Sequence, residues 1–281
     1  MKAKYDFQFE KFKDIYEFNK TINSRCNNAV MIGRSASQKE GKWSGTQNYE
    51  KSETYLTKGW TANVEDMKDE LKKYSAQIER TRMKYKADIA GFAPIVPASI
   101  KGVPKAMWRG TPQKKIEKKK YLHIYFNNTG NCDQTNEELM QSGMAVLKLC
   151  ILLEKLGIKV KIDIMPIVTE CNKSIYGCGI EIKDYKQPFN MQKMAYPIAH
   201  TSMFRRQGFK WLETFPNCKE QLYRNAYGHS ITSYGEMEKA YLEHFKMNES
   251  GSIYITYYDC KSVGFNPEKI AEMKGLHLTK K

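Results

Sequence analysis

Asn127, Thr129 and Asn131 alternate along the polar stretch Asn127-Asn128-Thr129-Gly130-Asn131. Each offers an oxygen of the kind a hard cation takes, and Asp133 and Asp259 are carboxylates of the same use. At the carboxyl end of a strand in an open parallel sheet, such a stretch stands where ligands bind. The simpler role for these residues is a capped turn, with their oxygens accepting the first amides of a following helix. A second group is His200-Thr201-Ser202-Met203-Phe204-Arg205-Arg206, followed by Lys210 and Trp211. Arg205 and Arg206 beside aromatic rings can grip phosphate or stack on bases. The simpler arrangement puts Met203, Phe204 and Trp211 in a core and the arginines outside or ion-paired with acids such as Glu213. Nucleophilic catalysis needs a cysteine beside a histidine, and Cys132, Cys171, Cys178, His123, His200 and His229 are the material for it. No nucleophile elbow, glycine-rich phosphate loop or histidine-rich metal motif occurs. Cys171 and Cys178 have no second pair to complete a zinc site. The residues favour binding over catalysis.

Composition sets the outer limits. The chain has 281 residues, 41% hydrophobic and 12% aromatic, enough to bury a core as one large domain or as a domain with an extension. No run of about 18 apolar residues is present, so no membrane span is expected. The segment Met1–Phe7 lacks the apolar stretch of a signal peptide. The 7 scattered cysteines are expected to be reduced thiols of a cytoplasmic protein. The net charge of +15 is unevenly placed: residues 1–120 hold 26 basic and 14 acidic side chains, residues 121–281 hold 20 and 17. Residues 101–120 alone hold 8 and 1, a net of +7. That block, with Lys114, Lys115, Lys118 and Lys119 at its centre, can attract a polyanion such as nucleic acid. A lysine-rich face that is simply solvated is the alternative.

These residues need elements to position them. Phe7 to Phe18 predict a short strand followed by a helix. Gly33–Gly45 is polar and glycine-rich and predicts a loop, and Tyr49–Leu56 a short helix. Over Val64–Lys86 apolar residues recur every three to five positions, which predicts a helix. In Ala90–Met107 the prolines forbid a helix. The apolar content there (Phe92, Ile95, Val96, Ile100, Val103, Met107 and Trp108) predicts a strap packed against the next domain. From Tyr121 the pattern alternates. A strand is predicted at Tyr121–Phe126, a helix at Gln134–Leu156 ending at Gly157, and a strand at Ile158–Met165, which makes a parallel crossover unit. Further strands are predicted at Gly179–Lys183 and Ser252–Tyr258. Helices are predicted at Phe189–Tyr196, Ser202–Thr214, Tyr234–Lys246 and Pro267–Lys274, with Pro197 between the first two. The expected fold class is α/β: a three-layer Rossmann-like, mostly parallel sheet over 121–281. A mainly helical N-terminal extension precedes it at 1–89, with a Pro-rich strap and basic linker at 90–120.

This order of elements resembles a von Willebrand factor A domain. In that family a first strand ends in an Asp-x-Ser-x-Ser loop, a long helix follows, and a later strand ends in Thr-Asp-Gly. Asn127-x-Thr129-x-Asn131 and Ile255-Thr256-Tyr257-Tyr258-Asp259 stand at those two places, with the helix at Pro267–Met273 after them. Asn127 replaces the family's first aspartate and Asn131 its last serine. The resemblance therefore implies a protein-docking rim formed by Asn127, Thr129, Asn131 and Asp259 more than a bound divalent cation such as Mg. A second set of residues resembles an uncharacterised bacteriophage protein family: Trp43-Ser44-Gly45-Thr46, Lys58-Gly59-Trp60, Pro94-Ile95-Val96-Pro97 with Gly102-x-Pro104, and His200…Arg205-Arg206…Phe209. That likeness implies a viral protein acting in the host cytoplasm. Two functions are expected from these features. One is a non-enzymatic viral interaction protein, including an inhibitor of a host protein, that docks a protein partner at the rim. The other is a nucleic-acid-binding protein using 101–120 with Arg205 and Arg206.

Overall fold

The computed structural model describes residues 5–25, 33–60, 64–112, 121–171, 174–216, 227, 229–231, 235–247 and 249–276. Its centre is a sheet with strand order β1 (Asp6–Phe12), β7 (Ser174–Lys183), β6 (Lys159–Cys171), β5 (Tyr121–Asn127) and β9 (Ser252–Thr256), with β8 (His229–Ser230) beside β6. β1/β7, β5/β6 and β5/β9 pair in parallel, while β6/β7 and β6/β8 are antiparallel. The chain is thus a mixed α/β protein with a mostly parallel central sheet, compatible with a Rossmann-like build. Among the described residues no helix is long and apolar enough to cross a membrane.

The β5–α6–β6 crossover follows from the sequence pattern. α6 (Asn136–Lys155) starts at a capping box: the Thr135 hydroxyl accepts from the Glu138 amide, and the Glu138 carboxylate accepts from the Thr135 amide. Both interactions satisfy amides that a helix start leaves open. α6 is buried on most of its surface, because it packs against α4 (Val64–Arg82), α7 (Met191–Ala199), α10 (Tyr257–Ser262) and α11 (Pro267–Met273). Burying Leu139, Val146, Leu147, Leu149 and Leu153 contributes about 1.5–3 kcal/mol each. At Gly143 a Cβ would stand 2.4 Å from the Ala199 Cα and the Ile198 oxygen, so this crossing with α7 requires glycine.

β6 runs past Pro166, where the sequence pattern ends the strand. The register shifts between Ile164 and Ile167, a bulge that accommodates a residue with no amide to donate. The sheet has two apolar faces. Ile124, Phe126, Ile162, Ile164 and Ile255 face the helical side, while Met165, Val168 and Tyr254 meet Tyr241 of α9 (Gly235–His244) on the other. Apolar side chains thus pack on both faces of the sheet. The N-terminal segment, expected to be an extension, enters the sheet itself. β1 forms its edge, and α1 (Ile15–Arg25) packs on β7 and on α8 (Phe209–Thr214).

The helix expected to reach Lys86 stops at Arg82, and β2 (Met83–Asp88) begins. β2, β3 (Ala93–Pro94) and β4 (Met107–Pro112) form a separate antiparallel sheet in the order β2-β4-β3, with α5 (Val96–Ile100) between β3 and β4. The strap expected to pack on the next domain instead hydrogen-bonds to itself. Apart from α4, which leads into β2, no element of the body packs extensively against this sheet among the described residues.

Candidate functional site

At the carboxyl end of β5, the rim residues turn inward. The Asn127 Nδ2 donates to the Tyr254 hydroxyl at 2.6 Å, and its Oδ1 accepts from the Thr129 amide at 2.9 Å. The Thr129 hydroxyl accepts from the Val168 amide at 2.8 Å, which ties the loop to β6. Asp259 closes a capping box on α10: its Oδ2 accepts from the Thr256 amide at 2.8 Å and from the Thr256 hydroxyl at 3.0 Å. The same oxygen lies 2.7 Å from the Lys274 ammonium. Asn127 pairs with Thr256 across β5 and β9, so the topology does gather these residues at one end of the sheet. The Asn127 Oδ1, the Thr129 hydroxyl and the Asp259 Oδ2, however, are already committed, and Lys274 repels a second cation beside Asp259. The rim residues do not fit a divalent cation. Among the described residues no group of three or more His, Cys, Asp or Glu is placed to hold a metal. Asn131, Cys132 and Asp133 remain exposed on the loop. Asn128 is buried, and neither polar atom of its side chain has a hydrogen-bond partner among the described residues.

Arg205 and Arg206, expected on the surface, are 1% and 0% exposed. They lie in a π-helical turn, Met203–Gly208, that runs into α8. Arg205 donates to the backbone oxygens of Trp43 and Gln134, each at 2.7 Å, with its guanidinium 4.2 Å from the Trp43 ring centre. Arg206 donates to the oxygens of Ser35 (2.7 Å), Ser37 (2.8 Å) and Thr46 (2.8 Å). The planar five-donor guanidinium suits this role, because it can satisfy several converging carbonyls at once. One arginine therefore holds the 127–135 loop and the other the 33–47 loop, and neither is available to phosphate. Burial pulls the Arg205 value down to about 10, still cationic at neutral pH. The four lysines expected to accompany them, Lys114, Lys115, Lys118 and Lys119, lie outside the described residues.

Of the catalytic candidates, Cys132 is exposed on the rim loop, while Cys171, Cys178, His123 and His200 are buried or engaged. Burial pushes the Cys171 thiol up to about 12 and Cys178 well above its ordinary value, which keeps both protonated and unreactive. His200 accepts the Ser202 amide at its Nδ1 (3.1 Å), inside a chain of hydroxyls that includes Tyr196 and Ser52. Burial lowers its value to about 4. His123 lies 3.2 Å from the Asp163 carboxylate, which also meets Lys11 at 3.0 Å. Burial alone would raise the Asp163 carboxyl, but His123 and Lys11 hold it below the usual carboxylate range.

What is exposed lies elsewhere. Among the described residues ten large apolar side chains are exposed, and seven of them fall between Tyr85 and Trp108. Tyr85, Phe92 and Trp108 are 50%, 68% and 40% exposed. Phe92 and Ile95 donate their amides to the Trp108 and Ala106 oxygens at 2.9 and 2.7 Å. Gly91 permits that approach, since a Cβ there would lie 2.1 Å from the Trp108 oxygen. The sequence does show these apolar residues. It does not show that the segment lacks a covering partner among the described residues, because the proline spacing fits a packed strap equally well.

No curated protein and no solved structure matches the chain. A family model matches residues 2–278, and the match takes in the edge strand, the small sheet and the rim alike. By that match the chain belongs to the family described as Domain of unknown function (DUF7192).

Proposed function

We propose that the chain is a nucleic-acid-binding protein whose binding surface is the β2–β4–β3 sheet together with the lysine-rich stretch that follows it in sequence. The observation that carries this reading is the coincidence of exposed aromatic rings and uncompensated positive charge on one small sheet. Residues 83–112 contain 5 basic side chains and 1 acidic one, Asp88. Asp88 is already paired with Arg109 at 3.2 Å and Lys86 at 3.7 Å. The next eight residues, 113–120, add 5 lysines and 1 glutamate. A polyanion releases its condensed counterions on such a surface, which gives affinity that falls steeply with salt. The test is a salt titration of labelled RNA and DNA with the full chain, beside a variant in which Lys86, Lys101, Lys105 and Arg109 become glutamine. Expected is binding at about 50 mM salt that weakens steeply by about 200 mM, with a shallower salt slope in the variant. Absence of binding at the lower salt overturns the reading.

A second reading, a viral protein that docks a protein partner at a von Willebrand A-like rim, is favoured by one observation. The loop segment Asn131–Asp133 is exposed, and the Asn128 side-chain amide just before it in the chain is buried without a hydrogen-bond partner among the described residues. Replacing Asn131 and Asp133 by alanine would then weaken partner capture without changing nucleic-acid binding.

A further inference from the structure

The small sheet is two-faced. Directly opposed residues of antiparallel strands share a face. Tyr85 pairs with Gly110, Ala87 with Trp108, and Ala93 with Trp108. These residues make one face, in which Tyr85 and Trp108 stand among Ala87, Ala93 and Gly110. With these small neighbours the two rings stay exposed. Phe92 joins this group, with its ring centre 5.6 Å from that of Tyr85. Lys86 pairs with Arg109 and Asp88 with Met107, which makes the reverse face basic. β2 is an edge of the sheet, so Lys86 stands at its margin, and Lys101 and Lys105 are exposed in the connection between β3 and β4.

We infer that the aromatic face stacks the unpaired bases of a single-stranded nucleic acid, and that Lys86 at the sheet's edge and Lys101 and Lys105 in the β3–β4 connection hold its phosphates. This inference rests on the nucleic-acid reading above and adds the form of the ligand. Every base has a π-face on which an aromatic ring can stack, and a duplex hides those faces inside its own stack. A basic surface without the rings would bind both forms; the rings add a contact that only the single strand can make. The positive charge selects this occupant over a neutral protein surface. The wide exposure of three aromatic rings selects it over a surface that acts by charge alone.

The test is fluorescence anisotropy of the full chain with labelled oligo(dT) and oligo(U) of about 12 nucleotides, within the usual site size, beside a duplex of equal length. Expected is tighter binding of the single strands. Trp108→Ala and Phe92→Ala each should weaken single-strand binding by about 5- to 150-fold and leave duplex binding and the thermal melt unchanged. Trp108→Phe keeps a stacking ring and should retain the affinity, while removing the quenching of tryptophan emission that single strands cause. Equal affinity for both forms with no effect of Trp108→Ala overturns the stacking and leaves the electrostatic reading standing. Failure to bind either form overturns both. Recovery of the chain on phosphatidylserine vesicles in preference to oligonucleotide, or a dimer that Trp108→Ala splits, assigns the face to a membrane or a second copy and overturns the inference.

Discussion

The rim above β5 and the sheet of residues 83–112 are opposites. The rim is rich in polar side chains, and the molecule uses almost all of them itself. Asn127, Thr129 and Asp259 close hydrogen bonds onto Tyr254, Val168 and Thr256, and Arg205 and Arg206 are consumed by backbone carbonyls of two loops. The small sheet has few polar contacts of its own beyond its backbone ladder, and it leaves its aromatic rings in water. The contrast shows why residue type alone is a poor guide to a binding surface. A buried polar group must find a partner, or it costs about 1–3 kcal/mol. Polar residues gathered at a crowded sheet end therefore tend to satisfy one another. Exposed apolar surface carries no such demand, and where it collects in one place it marks a surface that another molecule covers.

The largest effect is expected at Arg206. If the rim arginines are structural, Arg206→Ala strands the carbonyls of Ser35 and Ser37 and should destabilise the fold by about 1–3 kcal/mol for each of them, read from urea unfolding. A loss below about 1 kcal/mol would free Arg206 for a ligand role. Next in size, Asn127→Ala leaves the Tyr254 hydroxyl and the Thr129 amide unpaired and should cost about 1–3 kcal/mol. An unchanged melt would return Asn127 to the list of free rim ligands.

A pH series sharpens the same contrast. His200 has its folded value lowered to about 4 from 6.5, because burial disfavours the imidazolium. The unfolded chain therefore takes up a proton in the window between those values and the folded chain does not. Stability from this group is complete above pH 6.5 and is lost as the pH falls toward 4. The melting temperature should drop through that window in the wild type and drop less in His200→Gln. Glu238 acts in the reverse direction: burial, with Asp259 nearby, raises its carboxyl to about 7. Its contribution is present below its ordinary value of 4.5 and declines as the pH rises toward 7. The smallest expected effect belongs to the small sheet. Trp108→Ala should change stability by no more than about 0.5 kcal/mol, as for surface sites, while changing ligand binding the most. A large loss of stability would mean that Trp108 packs against the body after all.

Much of the fold was legible along the chain. The strand at Tyr121, the long helix to Gly157 and the strand after it follow from local periodicity, and the structure places them as a parallel crossover. The helix caps at Thr135 and Asn266 are local signals too. Three features were not legible. β6 continues beyond Pro166 because a bulge, stabilised by neighbours on both sides, outweighs the local cost of proline. β1 joins the sheet through a partner more than 160 residues away in β7. Arg206 is buried by carbonyls about 160 to 170 positions upstream, and a paired arginine reads as surface until those carbonyls are known.

The α/β class, the basic block before Tyr121 and the aromatic residues between Tyr85 and Trp108 can be read from the chain alone. Those properties are set by local pattern and by composition. Only the tertiary structure decided which residues face water. Exposure depends on contacts between distant segments, and those contacts enclosed the polar rim and left the aromatic face of the small sheet open.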